Sequence, residues 1–281
     1  MYINYILWHP IQNMQITDIY SHKGGKEYLE KHHGDELKDI YNAVENINFI
    51  ESLSKLSYED SKRNPLFSPI NINNQLAEFL LHKNWLKASS GKKGYVEESV
   101  HWNPEDKCFE DASKSNSKNL TNNRKSIDGL KNKVGLEIQM GKYAFMAYDI
   151  FVKLPIFAKA GLIDCAVELV FKQSMIKHLS TGIGSFEQCV MEMQGRGESN
   201  IDIPTIVLGF ECSESEFSRL AECKKEFDIC LQRSIESGAF KNLKELKSSS
   251  TKRDIFIKEV NTRCQLKIEM GNKGAAPGPI A

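Results

Sequence analysis

The sequence has no excess of charge of either sign, because 37 Lys+Arg balance 37 Asp+Glu and the formal net charge is 0 at pH 7. A neutral chain lacks the overall basic charge that marks many nucleic-acid-binding proteins, so phosphate-binding residues would have to be gathered locally. No run approaches the ~18 apolar residues that a membrane helix needs. The N-terminus also lacks the basic and small-residue segments of a signal peptide. These absences indicate a cytoplasmic protein with no membrane partner.

Paired cysteines are also missing. The seven cysteines form an odd set without a CxxC pair, which argues against a disulfide framework and against a zinc ribbon. The histidines show no spacing to acids that would suit a metal site, and no local signature of a nucleophilic cysteine is present. The sequence therefore predicts reduced thiols, as expected in the cytoplasm.

The apolar patterning predicts an α/β fold. With 281 residues and 41% hydrophobic residues, the chain can form one large domain or one domain with an appendage. Apolar runs at residues 134–140, 144–154, 163–171 and 205–210 are interleaved with segments of helical periodicity at residues 173–180 and 186–193. This alternation predicts a mixed central β-sheet flanked by helices. From about residue 212 the pattern is mainly helical and ends in a Gly- and Pro-containing tail.

A polar stretch rich in Ser and Asn interrupts this pattern at residues 88–123, with room for a short hairpin around residues 95–102. Residues 83–133 contain 11 Lys or Arg against 7 Asp or Glu, so this part of a neutral chain is locally positive. Such charge suits a phosphate backbone, but a merely solvated loop has the same composition. Both interpretations stay open.

The residues with the clearest chemical potential are Asp128, Glu137 and Gln139. Strand residues two apart point to the same face, so Glu137 and Gln139 project together. A hairpin closed over residues 130–133 would return Asp128 beside Glu137. Two converging carboxylates suit a hard cation such as Mg²⁺, which polarises phosphodiesters, although acidic residues are common and the spacing alone is weak. Glu168, a second strand acid, either faces solvent or is buried and needs a partner.

Several separated blocks resemble the BglII/BstYI group of type II restriction endonucleases, within the PD-(D/E)xK nuclease superfamily. The resemblance runs from about residue 15 to residue 210, some two-thirds of the chain. Its longest block continues from the predicted strand that carries Glu137 and Gln139, called the catalytic strand below, into the following segment. The blocks are DIYSHKGGKEYLE, LFSPININNQLAEFLLHKNW, VGLEIQMGKYAFMAYDIFVK, AVELVF, STGIGSFE, QGRG and PTIVLGF.

This resemblance implies a PD-(D/E)xK restriction-endonuclease-like core in a bacterial, Mg²⁺-dependent homodimer that cuts both strands of double-stranded DNA. The site would be a short palindrome centred on GATC, cut to leave 5′ overhangs. The family's metal-binding acids fall on Asp128 and Glu137, and its third catalytic position falls on Gln139. Most of the superfamily has Lys at that position, whereas Gln offers only an amide dipole to orient water, so more of the work falls on the metal.

Four further residues are predicted to contact DNA. Lys142 follows the catalytic strand, where a long cation can reach base edges or phosphates, or can simply be an exposed charge. Thr181 and Ser185 lie in a Gly-rich segment that allows close backbone approach, and Arg196 lies between two glycines in QGRG. All four belong to connecting segments, where binding residues concentrate.

The domain organisation expected from these patterns is an endonuclease core at residues 14–211, with the polar insertion at 88–123, and a helical C-terminal extension at 212–281. Met14 is expected to be the native start. Two alternatives to a restriction endonuclease stay open: a less specific PD-(D/E)xK nuclease and a non-catalytic DNA-binding protein, which the Gln at position 139 would allow.

Overall fold

The computed structural model describes residues 14–57, 64–89, 94–111, 123–196 and 201–274. The chain divides into two compact units. Unit 1 comprises Met1–Ile47, Asn73–Ile176 and Thr181–Glu211, and unit 2 comprises Asn48–Ile72, Lys177–Ser180 and Cys212–Ala281. The predicted extension at 212–281 falls within unit 2, which also contains two earlier segments, and the predicted domain boundaries stay a prediction. Some parts of these predictions lie outside the described residues: the residues before the expected start at Met14, parts of the predicted insertion (90–93 and 112–122) and the end of the tail (275–281).

The strands, in chain order, are β1 (Met14–His22), β2 (Leu53–Lys55), β3 (Leu66–Phe67), β4 (Lys87–Ala88), β5 (Tyr95–Val96), β6 (Glu98–Asn103), β7 (Cys108–Asp111), β8 (Arg124–Ile127), β9 (Gly129–Lys131), β10 (Val134–Gln139), β11 (Cys165–Phe171) and β12 (Thr205–Cys212). The helices are α1 (Gly25–His32), α2 (Gly34–Glu45), α3 (Phe49–Ser52), α4 (Pro69–His82), α5 (Tyr143–Tyr148), α6 (Leu154–Lys159), α7 (Gln173–Ile176), α8 (Phe186–Arg196), α9 (Glu214–Glu236), α10 (Leu243–Ser248) and α11 (Ser250–Gly274). A π-helical turn, the π segment (Asp149–Lys153), joins α5 to α6.

Unit 1 is built on a five-stranded mixed sheet in the order β1-β12-β11-β10-β9. Strands β10, β11 and β12 run parallel, and β9 pairs with β10 antiparallel. Strands β10 and β11 are buried along their whole length, as expected for the centre of a sheet covered on both faces. With its flanking helices and the helical C-terminal region, this sheet confirms the predicted fold class.

One face of this sheet is covered by α5, the π segment, α6 and α8. Two buried apolar clusters lie there, one around Val170 and Val207 and the other around Ala166 and Phe157. The apolar run at residues 144–154, which resembles the strand runs in composition, is helical because it forms α5, the π segment and the start of α6. On the sheet face, Glu168 lies between Ala166 and Val170, so a carboxylate separates the two apolar clusters.

The predicted insertion forms part of a second, three-stranded sheet in the order β7-β6-β8. The hairpin expected around residues 95–102 lies slightly later in the chain, because β6 pairs with β7 across the turn after Asn103. The side chain of Asn103 stabilises that turn, accepting hydrogen bonds from the backbone N–H groups of Glu105 at 2.9 Å and Asp106 at 3.3 Å. The described part of the insertion is therefore ordered β-structure.

In unit 2, helices α9 and α11 pack against each other. Phe256 on α11 lies edge-on between Phe227 of α9 and Phe240, with ring centroids 5.3 Å and 5.7 Å apart. All seven cysteines of the chain are free thiols, as the sequence predicts, and all except Cys108 are buried. Within the described ranges, no helix is long and apolar enough to cross a membrane.

Candidate active site

The β9–β10 hairpin forms as the sequence predicts. Its turn consists of Asn132 and Lys133, with φ of 46° and 69°, and two successive positive φ values are typical of the tight turns that match the strand twist. The pairing of Gly129 with Leu136 brings the residue before β9 alongside the end of β10. There, the Oδ2 atom of Asp128 accepts a hydrogen bond from the N–H of Ile138 at 2.9 Å. A local hairpin therefore places Asp128 beside Glu137.

A second carboxylate lies beside Glu137 on the neighbouring strand. In the parallel register of β10 and β11, Glu137 is paired with Glu168, so both side chains lie on the helix-covered face. Glu137 is 1% exposed and Glu168 is 0% exposed. Oε1 of Glu137 and both carboxyl oxygens of Glu168 have no hydrogen-bond partner among the described residues. Buried polar atoms without partners are costly, so these oxygens indicate a site built for a ligand.

Burial and mutual repulsion shape the electrostatics of this site. The pKa of Glu137 is raised well above its usual value by burial first and by the charge of Asp128 second, while Lys153 opposes the shift. Burial also raises the pKa of Asp128, against the Ile138 N–H and the charge of Lys153. The pKa of Glu168 is raised well above its usual value, mainly by burial. The carboxylates therefore favour either protons or a bound cation.

Lys153 is a site residue that the sequence analysis missed. It ends the π segment, and its Nζ lies 2.7 Å from Oε2 of Glu137 and 2.9 Å from Oδ1 of Asp149. The only signal in the sequence is an acid and a base four residues apart, Asp149 and Lys153, inside an otherwise apolar run. Such pairs usually lie on a solvated helix face, but here both side chains are largely buried.

Gln139, the third predicted catalytic residue, is buried at the end of β10 with one end of its amide engaged. Its Oε1 accepts a hydrogen bond from the N–H of Gly141 at 3.0 Å. Its Nε2 has no partner among the described residues. The amide N–H groups are therefore available to orient a water or another acceptor within the site.

The residues of this site fit a hard divalent cation. In the parts of the chain that the structure describes, no group of three or more His, Cys, Asp and Glu side chains is close enough to form a complete cage. Mg²⁺ does not need one, because it is usually held by one or two carboxylates and keeps several waters. Oε1 of Glu137, which lies beside Asp128 and has no partner in the described part of the chain, meets that requirement.

Two of the four predicted DNA contacts lie together at the end of the sheet. Lys142 is exposed, and its backbone forms an antiparallel bridge with Ile183. The N–H of the next residue, Tyr143, donates to the carbonyl of Gly182 at 2.8 Å. Thr181 is exposed beside this bridge. The structure thus joins two segments that are 40 residues apart in sequence into one surface.

Ser185 and Arg196 lie at opposite ends of α8. Ser185 is buried, and its hydroxyl and the Gln188 side chain cap each other's N–H groups at 3.3 Å and 3.1 Å. Arg196 is 58% exposed and binds Glu192 at 2.5 Å, and Glu192 also accepts from the hydroxyl of Tyr143. The predicted contacts of both residues with DNA stay predictions. In this structure, Ser185 begins the helix, and Glu192 links Arg196 to Tyr143, the residue after Lys142.

We expect Glu168 to make the stability of the metal-free protein fall as pH rises. Because its folded-state pKa is raised above the usual 4.5, the folded state keeps the proton that the unfolded chain loses. Between the usual pKa of the unfolded chain and the raised pKa of the folded state, each pH unit should cost the wild type about 1.4 kcal/mol of stability relative to Glu168→Gln. Urea unfolding in EDTA from about pH 5 upward measures this difference.

Glu222→Gln is the matched control, since that side chain is 56% exposed on α9. It should follow the wild-type pH dependence. A constant difference between wild type and Glu168→Gln at all pH values would contradict a buried, protonated Glu168.

Paired carboxylates at the end of a central strand, with an ammonium group beside them, suit a protein that binds a divalent metal ion, and such ions serve in the hydrolysis of phosphodiesters. The family profile described as "Restriction endonuclease BglII/BglIII" matches residues 17–210. The chain therefore belongs to the BglII/BglIII restriction endonuclease family and is a type II site-specific DNA endonuclease that depends on a divalent metal ion. The resemblance seen in the sequence is thereby confirmed.

Two solved structures of restriction endonuclease BglII are similar to this chain. The complex of BglII with a DNA 16-mer is 17% identical, with 68% of this chain and 74% of that chain covered and a TM-score of 0.46. Free BglII is 16% identical, with 68% and 77% covered and a TM-score of 0.42. None of the curated proteins matches the chain.

Proposed function

We propose that this endonuclease uses Mg²⁺ to hydrolyse both strands of duplex DNA at a short palindromic site centred on GATC, leaving 5′ overhangs. The observation that supports this most directly is the hairpin that places Asp128 beside Glu137, whose buried Oε1 has no partner among the described residues. Oxygen ligands of this kind favour Mg²⁺ over softer metals. The resemblance of the catalytic strand and its neighbours to the BglII/BstYI group supports the GATC core.

In this proposal, Asp128 and Glu137 hold the metal ion. A bound Mg²⁺ polarises the scissile phosphodiester and lowers the pKa of a water molecule. Gln139 directs its unpaired amide N–H groups at the attacking water or at the hydration shell of the ion, and Gly141 fixes the other end of that amide. The fixed amide reduces the reorganisation needed during the reaction.

Lys142, Thr181, Ser185 and Arg196 are proposed to contact DNA. The exposed ammonium of Lys142 suits the acceptors of guanine in the major groove or a phosphate oxygen. Thr181 lies beside it, while Arg196 would exchange its surface ion pair with Glu192 for a phosphate, an exchange that costs little because exposed pairs are weak. Ser185 would contribute at the start of α8, where backbone N–H groups favour anions.

Digestion of a plasmid of known sequence tests this function. With Mg²⁺, we expect discrete fragments whose mapped ends lie at GATC-containing palindromes and carry 5′ overhangs. Ca²⁺ in place of Mg²⁺ is the control and should give binding without cutting. A smear of fragments would instead indicate a nuclease without sequence choice, and no cleavage of any GATC-containing DNA would contradict the proposal.

A palindromic site implies a two-fold symmetric enzyme, so we propose that the protein acts as a homodimer. Light scattering should give about twice the mass of the 31.9 kDa chain, with or without DNA. A monomer under both conditions would contradict this prediction. We also propose that the enzyme acts in the bacterial cytoplasm, where duplex DNA is accessible.

A further inference from the structure

The site contains a positively charged side chain, Lys153, which comes from outside the catalytic strand β10. Position 139 carries an amide, so β10 contributes no positive charge to the carboxylates around it. Lys153 supplies that charge from the helical side of the site, with its Nζ 2.7 Å from Glu137. Its charge also acts on Asp128 and Glu168. Among the described residues, Lys153 is thus the cation that acts on all three of these carboxylates.

Lys153 is held in place before any ligand binds. Its side chain is only 15% exposed, and Asp149, one turn earlier, fixes the ammonium at 2.9 Å. The two residues begin and end the π segment, and single π-helical turns are frequent at functional sites because the extra residue redirects side chains. A pre-positioned charge avoids the entropic cost of ordering a long side chain during the reaction.

The contacts of Lys153 leave it able to bind a further anion. An ammonium group has three N–H donors, and Glu137 and Asp149 accept two of them. Among the described residues, nothing accepts the third. A purely structural role explains this arrangement poorly, since a buried ion pair contributes little net stability and both oxygens of the neighbouring Glu168 are left without partners.

We propose that Lys153 is a catalytic residue that contacts the reacting phosphate or the attacking hydroxide, and that it supplies the positive charge that Gln139 cannot. This inference rests on the proposed nuclease function and adds a residue to it. No covalent step involves Lys153, because the ammonium only donates hydrogen bonds to the charge that develops on the phosphate oxygens. Lys153 in the π segment would then take the role that a lysine on the catalytic strand has in most of the superfamily.

The experiment compares Lys153→Gln, Lys153→Met, Lys153→Arg and the double variant Gln139→Lys with Lys153→Gln. Single-turnover cleavage at saturating Mg²⁺ should fall about 100-fold or more in the Gln and Met variants. Lys153→Arg and the double variant should each recover at least about tenfold, because both restore a cation. Lys159→Gln, an exposed lysine at the end of α6, is the matched control and should cut like wild type.

A second measurement separates catalysis from structure. Calorimetric titration with Ca²⁺ should give the same or a tighter affinity in Lys153→Gln, since the variant removes a competing cation from Glu137. Cleavage by Lys153→Gln close to the wild-type rate would overturn the inference, as would loss of Ca²⁺ binding together with activity, or no recovery in either cation-restoring variant. A wild-type protein that cuts no DNA would instead refute the proposed function.

Discussion

Replacing Glu137 with alanine is expected to abolish cleavage and to preserve DNA binding in Ca²⁺. Glu137 is buried beside Asp128 and has one carboxyl oxygen without a partner among the described residues, so its loss removes a proposed ligand of the metal ion. We expect a decrease of at least about 10³-fold in the single-turnover rate with Mg²⁺. Gel-shift measurements in Ca²⁺ should show an affinity for the same DNA within a few-fold of wild type.

Two further variants make this result specific. Glu137→Gln keeps the volume of the side chain and its contact with Lys153, so the same loss of activity in this variant assigns the effect to the charge. Glu236→Gln, on the exposed surface at the end of α9, should leave cleavage unchanged. If Glu137→Gln retained a tenth or more of the wild-type rate, Glu137 would not be the metal ligand.

The largest effect on stability is expected for Gly25→Ala. Gly25 is the first residue of α1 and lies against the backbone of β12. A methyl group at this position would lie 2.6 Å from the carbonyl carbon of Thr205 and 2.7 Å from its nitrogen. Backbone atoms in the sheet cannot rotate away as a side chain can. We expect a loss of about 3 kcal/mol or more in the free energy of unfolding, measured by urea denaturation.

Gly34→Ala is the matched control, because Gly34 is the first residue of α2 and a methyl group there would meet nothing within 4 Å. It should leave stability unchanged or raise it by up to about 1 kcal/mol, since alanine restricts the unfolded chain and favours the helix. Equal effects of the two substitutions would show that α1 does not approach β12 as closely as described.

Local features of the fold were predictable from the sequence because they depend on neighbours in the chain. The turn at Asn132 and Lys133 and the alternation along β10 lie within a dozen residues of each other, so the pairing of Asp128 with Glu137 followed from hairpin geometry. The apolar run at residues 144–154 was harder to interpret. Short apolar runs suit buried strands and buried helices equally, and packing against the sheet decides between them.

The rest of the site depends on contacts between distant segments. Glu168 became a neighbour of Glu137 only through the parallel pairing of β11 with β10, which a single glutamate in each of two largely apolar strands does not specify. The link between Tyr143 and Arg196 was equally hidden, because Glu192 and Arg196 are only four residues apart but Tyr143, which also binds Glu192, lies on another helix. Ser185 and Gln188 form a capping pair that the sequence STGIGSFEQ does contain, as Ser with Gln three residues later.

By itself, the sequence determined the α/β class, the membership of the restriction endonuclease family and the hairpin that brings two carboxylates together, since each rests on local periodicity or on blocks of matching residues. Only the tertiary structure decided that Glu168 is buried with no hydrogen-bond partner in the described part of the chain and that Lys153 contacts Glu137. The reason is physical: burial and ion pairing are properties of the space between elements, and Lys153 and Glu137 lie on different elements that meet only in the folded chain.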